Sequence, residues 1–359
     1  MPDSDPNLRP KVDRIASLDQ FRGYTVVGML LVNYLEKFSA VPPILKHHNS
    51  YCSYADTIMP QFFFAVGYAF RLTSLKRAER DGTGSATRHA IGRNLGLLLL
   101  GLVFHQLDGE AKTWVALQSL GLRGFFSNAF QREPFQTLVS IALASLWCLP
   151  VIRAAAWARL LFLVATALLH LLLSAQGYFA FAWNRPVIDG GALGFLSWSI
   201  PLLVGTFAYD LVASGRRSAL AWLLFIGASL MGVGYALSNV GGHAPPPFVE
   251  PTRQVDLWMM SQRAGSVSYL TFAAGFSIAV FAAFVVVADW LRVRLGVFRT
   301  FGRNALATYL VHPMVYSAVK PYAPADSPLW YASLSFGLAF GIVYLFMRHL
   351  EKEGVFLRL

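Results

Sequence analysis

The stretch from Arg14 to Gly67 reads RIASLDQFRGYTVVGMLLVNYLEKFSAVPPILKHHNSYCSYADTIMPQFFFAVG. A charged, polar opening runs into an apolar segment that Pro42-Pro43 interrupts. A short loop then carries Lys46, His47 and His48, and after Asp56 the chain turns apolar again. Apolar runs of about 18–25 residues with few charges read as membrane-crossing helices. Two spans are therefore joined by a loop that sets adjacent imidazoles at one membrane face.

The pattern continues outward from this pair of spans. Of 359 residues, 55% are hydrophobic and only 14% charged, whereas an average soluble domain carries about a quarter charged residues. Ten apolar runs stand out, at about 21–40, 55–74, 91–107, 136–152, 158–175, 191–213, 219–238, 266–290, 303–320 and 330–348. The expectation is an all-α, polytopic integral membrane protein of about ten transmembrane helices. A cytoplasmic lead-in covers residues 1–18, a membrane domain 19–350 and a cytoplasmic tail 351–359. The lead-in has no short apolar core of the secretory kind.

A net charge of +11 invites a nucleic-acid reading, but the charges are placed otherwise. With the N-terminus inside, Arg71, Lys76, Arg77, Arg80, Arg88 and Arg93 fall on the cytoplasmic side. So do Arg292, Arg294, Arg299 and Arg303, and finally Arg348, Lys352 and Arg358. This is the positive-inside bias, so both termini are expected in the cytoplasm and no nucleic-acid partner is expected. Neither Asn49-Ser50-Tyr51 nor Asn184-Arg185-Pro186 is a glycosylation sequon, and the bacterial inner membrane is the expected location.

Local signals refine this picture. Ser17-Leu18-Asp19-Gln20 offers a helix N-cap ahead of the first run, and Pro60 is expected in the first turns of the second, where proline costs least. The segment 111–135, with Trp114, Leu117 and Leu120 among polar residues, reads as an interfacial or re-entrant piece. Gly190-Gly191 suits a close backbone approach, and the long outer segment 239–264 suits a lid. His170 reads as a satisfied packing residue. Asn33, Asn304 and His312 are polar groups at membrane depth, which usually face a bundle interior or wet cavity. Asn304 and His312 lie about 80° apart around one helix at 100° per residue.

The phosphate-binding, zinc-protease and serine-hydrolase motifs are absent from the sequence. His47-His48 lacks further ligands at metal-site spacing, so no metal is expected. The two cysteines, Cys52 and Cys148, belong at different depths, which argues against a disulfide framework.

Arg14-x-x-Ser17-Leu18-Asp19-x-Phe21-Arg22-Gly23 resembles the opening motif of the heparan-α-glucosaminide N-acetyltransferase family of transmembrane acyltransferases. The resemblance continues in Val32-Asn33-Tyr34, Lys46-His47, Ala55-Asp56 with Pro60-x-Phe62, and Phe135-Gln136. It extends to Asp189-Gly190-Gly191-x-Leu193-Gly194 and Asn304-x-Leu306-x-x-Tyr309-x-x-His312. It implies transfer of an acetyl group from cytosolic acetyl-CoA to an amino sugar on the other side. It also implies a catalytic His47 with Asn33 as companion and His312 as a further wall. A histidine, His48, follows where the family has a small residue, so either imidazole is a candidate.

The chemistry stands without the family. Acyl transfer from a thioester needs a base for the acceptor or a nucleophile to carry the acyl group, and imidazole serves as either near neutrality. The Asn33 amide suits an oxyanion. Arg22, Arg299 and Arg303, with Asn304, are the expected contacts for the anionic acyl-CoA donor. Asp56, Asp189 and Trp258 are expected on the side of a glycan or glycolipid acceptor. Membrane lipids are the remaining partners, and the sequence leaves a homodimer open. The rival reading is an inner-membrane transporter of a small solute or lipid-linked sugar, which would cleave no thioester. A non-catalytic membrane scaffold is the third.

Overall fold

The computed structural model describes residues 15–106, 113–131, 135–184, 189–216, 218–252 and 254–357. Arg14 of the opening motif, Asp108, Glu110, the approach over 185–188 and Arg358 lie outside them. Among the described residues the architecture is helical, without a strand. The helices are α1 (Ala16–Leu35), α2 (Tyr54–Asp81), α3 (Thr83–Gln106), α4 (Trp114–Gln131), α5 (Thr137–Cys148), α6 (Ala156–Leu173) and α7 (Phe179–Asn184). They continue with α8 (Gly194–Ala213), α9 (Ala219–Ser238), α10 (Val267–Phe284), α11 (Gly296–Arg303), α12 (Ala305–Val319) and α13 (Leu329–Lys352).

Each apolar run overlaps one of these helices. Among the described residues five stretches are long and apolar enough to cross a membrane: Ala156–Asn184, Gly191–Ala213, Ala219–Ser238, Val267–Trp290 and Leu329–Lys352. The burial pattern identifies their solvent. In the most apolar windows of α9 and α13 only 17% of the residues are buried inside the protein, against 78% for α8. Leu161, Leu172, Phe225, Leu338 and Leu345 stand exposed on the outer helices. Continuous apolar faces of that kind are not stable against water, and hydrocarbon is the environment that suits them. Helices α8 and α10 form the interior instead, packing with α2 and α5 around Phe63, Phe64, Trp198, Tyr269 and Phe281. A second apolar cluster joins α1 to α12 and α13 through Leu30, Tyr34, Tyr316, Ala339 and Val343.

Two helix crossings are set by glycine. A Cβ on Gly67 of α2 would meet the Leu202 carbonyl oxygen of α8 at 1.8 Å, and one on Gly205 would meet the Phe64 oxygen at 2.1 Å. The same reciprocity joins α1 to α11, where a Cβ on Gly23 would meet the Phe298 oxygen at 1.8 Å and one on Gly302 the Asp19 oxygen at 2.1 Å. No side chain fits between these backbones. The second crossing brings Arg22 and Arg303, the neighbours of Gly23 and Gly302, to one place.

Several local expectations are corrected. Helix α1 begins at Ala16, so Ser17 and Asp19 lie inside its first turn rather than capping it. The cap comes from elsewhere: the Ser17 N–H donates to Asp289 Oδ1 at 3.1 Å, which satisfies one of the open donors of the helix start. Pro60 is the seventh residue of α2, in its second turn, far enough in to break a helical hydrogen bond. A proline there leaves the carbonyl four residues earlier, that of Asp56, without its helical donor. The Tyr269 hydroxyl of α10 donates to that oxygen at 2.6 Å. The segment 111–135 contains α4, broken at Gly121, whose φ of 59° and ψ of 175° interrupt the helix. His170 is buried as expected, yet neither ring nitrogen has a hydrogen-bond partner among the described residues.

Tyr269 is therefore a test of the α2 start. Tyr269→Phe should destabilise the protein by about 1–3 kcal/mol, the cost of one stranded buried carbonyl. Pro60→Ala in the same background should return part of that loss by restoring the helical N–H. Thermal unfolding of the four members of this cycle in detergent measures both effects.

Candidate active site

The loop between α1 and α2 folds onto the first turn of α2. Ser53 and Asp56 form a reciprocal cap: the Ser53 N–H donates to Asp56 Oδ2 at 2.9 Å, and the Asp56 N–H donates to Ser53 Oγ at 3.2 Å. The Ser53 hydroxyl in turn donates to the Lys46 carbonyl at 2.8 Å, which fixes the residue before His47. The pattern Ser-x-x-Asp just ahead of an apolar run is a sequence-level sign of such a cap.

The carboxylate that caps the helix also holds the histidine. His47 Nδ1 donates to Asp56 Oδ1 at 2.9 Å, and the His48 N–H approaches both carboxylate oxygens at 3.4 and 3.3 Å. Asp56 is fully buried while the His47 side chain keeps 30% of its surface exposed. A carboxylate accepts only, so Nδ1 carries the proton and Nε2 presents its lone pair; Nε2 has no hydrogen-bond partner among the described residues. Burial of the ring opposes its charging, but the Asp56 hydrogen bond and charge, with Glu36 and Asp189 further off, outweigh it. They hold the His47 pKa above the ordinary imidazole value.

His48 is committed differently. Its Nε2–H donates to the Pro43 carbonyl at 2.8 Å, and its ring stacks on Tyr51 at 4.2 Å between centroids. Those bonds tie down the loop rather than leave the imidazole open. Asp56 lies behind His47 with its oxygens engaged by three donors.

The remaining candidates separate into groups. Asn33 lies half-buried near the end of α1, with its carbonyl 3.5 Å from Lys320 Nζ. His312 is buried in α12, donating from Nδ1 to the Thr308 carbonyl at 3.1 Å and meeting Tyr316 edge-on. Tyr316 and Tyr34 also flank the Lys320 ammonium, a cation the sequence reading passed over. Asp189 is buried and accepts from Gln262 Nε2 at 3.4 Å. Trp258 is half-buried in the 239–264 segment, its backbone N–H bound to Asp256.

A cavity of about 460 Å³ opens elsewhere on the molecule. Arg22, Arg77, His89, Arg93 and Arg303 line one end, and Phe62, Thr137 and Tyr309 line the other, with Val66, Ala69, Leu97, Leu138 and Ile141 between. The α2 contribution is one stripe: Phe62, Val66, Ala69, Thr73 and Arg77 recur at helical spacing. At 1.5 Å per residue, Phe62 to Arg77 covers about 22 Å, and Asp56 lies about 9 Å beyond Phe62. The basic end and the His47–Asp56 pair thus sit at opposite ends of one helix. The cations are close enough to act on one another, Arg77 and Arg93 on His89, and Arg22 on Arg93.

Of the four residues expected at a donor, Arg22 and Arg303 line this cavity. Arg299 does not; it pairs with Glu351 at 3.3 Å. Asn304 is buried at the α11–α12 junction and donates to the Thr300 carbonyl at 2.9 Å. Arg77, His89 and Arg93 were not singled out from sequence, because a basic loop serves membrane orientation equally well. Among the described residues no group of three or more His, Cys, Asp or Glu side chains is placed to hold a metal ion.

Among curated proteins none matches the chain. The family model described as heparan-alpha-glucosaminide N-acetyltransferase, catalytic, matches residues 14–235, well over half of the chain. That span holds both the His47–Asp56 pair and most of the cavity wall. The chain therefore belongs to the heparan-alpha-glucosaminide N-acetyltransferase family and is, by that membership, a membrane acetyltransferase.

Proposed function

We propose that the protein moves an acetyl or similarly small acyl group from cytosolic acyl-CoA to a sugar amine or hydroxyl on the opposite side of the membrane. One observation carries this reading: α2 bears the arginine-ended cavity along one face and, at its N-terminus, the Asp56 that holds His47. A donor with phosphates at one end and a thioester at the other matches that polarity. Residues 19–350 form one transmembrane unit of ten helices with both termini in the cytoplasm, in a bacterial inner membrane. This orientation puts the basic cavity end where the donor is and His47 on the far side.

In this mechanism Arg22, Arg77, Arg93 and Arg303 bind the donor phosphates. The apolar wall from Ala69 to Phe62 carries the extended arm, and the thioester reaches the region of Thr137 and Tyr309 below the histidine loop. His47 Nε2 takes the proton of the acceptor amine or hydroxyl as its heteroatom attacks the thioester carbonyl. The carbon–sulfur bond breaks, and the imidazolium returns the proton to the departing thiolate. Asp56 keeps the tautomer that makes this possible and stabilises the imidazolium, as the buried carboxylate does in a catalytic triad. The Asn33 amide is assigned to the developing oxyanion. His312, Asp189 and Trp258 bound the acceptor side, where a glycan or glycolipid binds.

Three outcomes are expected. His47→Ala should reduce thiol release from acetyl-CoA by about 10²–10⁴-fold, the usual worth of a positioned base. His48→Ala should cost far less. Radiolabelled acetyl-CoA and purified protein with membrane glycolipid as acceptor give the comparison; wild-type protein that releases no thiol would favour the transporter.

Asp56→Asn should lower kcat and move the acid limb of the pH–rate profile to lower pH. The sign follows from removing the group that raises the His47 pKa, since the neutral imidazole is the active base. The pair's contribution to stability has the matching dependence: it is full below the ordinary imidazole pKa and fades as pH rises through the raised one. An acid limb unmoved in Asp56→Asn would remove His47 as the titrating base.

Arg22→Ala and Arg93→Ala should each raise KM for acetyl-CoA by about 10-fold, the worth of a charge-assisted contact. Their kcat should fall much less. Unchanged KM values would detach the cavity from the donor.

A further inference from the structure

The chain leaves α13 and turns back over the basic end of the cavity. Gly354, at φ +70°, reverses the direction. Its N–H donates to the Glu351 carbonyl at 3.3 Å, and the Val355 N–H donates to the Leu350 carbonyl at 2.9 Å, the bonds of a glycine-ended helix cap. Phe356 then lies over the Arg303 guanidinium, 4.6 Å from ring centroid to central carbon. The next residue, Leu357, is part of the cavity wall.

Arg303 is held from its other side. Its Nη1 donates to Glu351 Oε1 at 2.8 Å, while Arg299 and Arg348 reach the same carboxylate at 3.3 and 2.6 Å and the Thr300 hydroxyl at 2.6 Å. Four donors fix the Glu351 carboxylate, so it fixes Arg303, and the ring of Phe356 covers the guanidinium plane. The Arg303 Nε–H has no acceptor among the described residues. Elsewhere the basic end is lined by Arg22, Arg77, His89 and Arg93 with Asp19 among them, and Leu357, next to Phe356, adds an apolar surface beside them. Cations alone would serve any phosphate. An aromatic ring and a fixed guanidinium next to a row of arginines suit a ligand in which a planar base adjoins phosphates.

We infer that the C-terminal turn around Phe356 is the recognition element for the nucleotide end of the donor, with Phe356 as the stacking surface for its purine base and Arg303 as the cation held against that ring. This rests on the proposed acyl-CoA donor and adds a specificity role for a segment beyond residues 14–235, the family match. Glu351 is a positioning residue here, acting through Arg303.

The test separates the nucleotide from the thioester. Full-length protein in detergent is assayed with acetyl-CoA, with S-acetyl-pantetheine, which lacks the nucleotide, and with adenosine 3′,5′-bisphosphate as competitor. Phe356→Ala should raise KM for acetyl-CoA relative to that for S-acetyl-pantetheine by about 10-fold and weaken bisphosphate inhibition equally, as expected for loss of one stacked base. Phe356→Leu, which keeps apolar volume, should do the same, and Phe356→Trp should restore affinity. Equal losses for both thioesters, or bisphosphate inhibition unchanged in Phe356→Ala, overturn the inference and leave the donor reading intact. Wild-type protein that binds neither acetyl-CoA nor the bisphosphate overturns both.

Discussion

The Asp56 carboxylate is the constraint on which the site depends. It is fully buried, and its two oxygens accept from the His47 ring, the His48 backbone and the Ser53 backbone. A buried charge is tolerated when every lone pair is used and a helix N-terminus lies against it. Asp56 meets both conditions in the first turn of α2. The histidine loop is consequently an extension of that helix: the bonds that start α2 also set the position, tautomer and basicity of His47. Even the backbone oxygen of Asp56, left without a helical donor by Pro60, is bound by Tyr269 from α10.

A single helix then relates the site to the cavity. Helix α2 touches α8 backbone to backbone at Gly67 and Gly205, so its axis cannot slide without steric overlap. Its cavity-lining stripe from Phe62 to Arg77 is held in register with the His47 loop by the rigidity of the helix itself. A cavity wall and a base carried on separate elements would need two packing interfaces to agree. Here the distance between them is a property of α2, and the glycine crossing of α1 with α11 sets only how Arg22 and Arg303 close the basic end.

What could be read from sequence follows the range of the interactions. The helices were legible because apolar runs are local, and the start of α2 was close because Asp56 is a local signal; α1 instead runs five residues earlier at both ends than its apolar run, ending well before Pro42-Pro43. His47, Asp56, Arg22 and Arg303 were legible as members of motifs. The relation between His47 and Asp56 was not, since nine residues of loop can place a carboxylate beside a substrate or behind an imidazole. Asp289 at the start of α1, Tyr269 on the Asp56 carbonyl and the Glu351 cluster join residues that are far apart in sequence. No periodicity encodes such pairs. Arg77 and Arg93 were visible as charges, but their shared cavity exists only once α2 and α3 are packed together.

The basic residues carry two explanations that the structure makes compatible. Arginine at helix ends favours retention on the cytoplasmic side, and the same residues converge on one cavity when the ends of α1, α2, α3 and α11 meet. Orientation signals need only be numerous, with no requirement that they be close. Arg22 is close enough to Arg93 to act on it, and Arg77 lies at the same cavity, while Asp19 shares the lining and Glu351 pairs with Arg303; the like charge that these carboxylates leave uncompensated costs energy in the empty protein. That cost has no purpose in a topology signal. It is offset when an anion enters, so the convergence itself, rather than the net charge of the chain, argues for a polyanionic ligand at this end of α2.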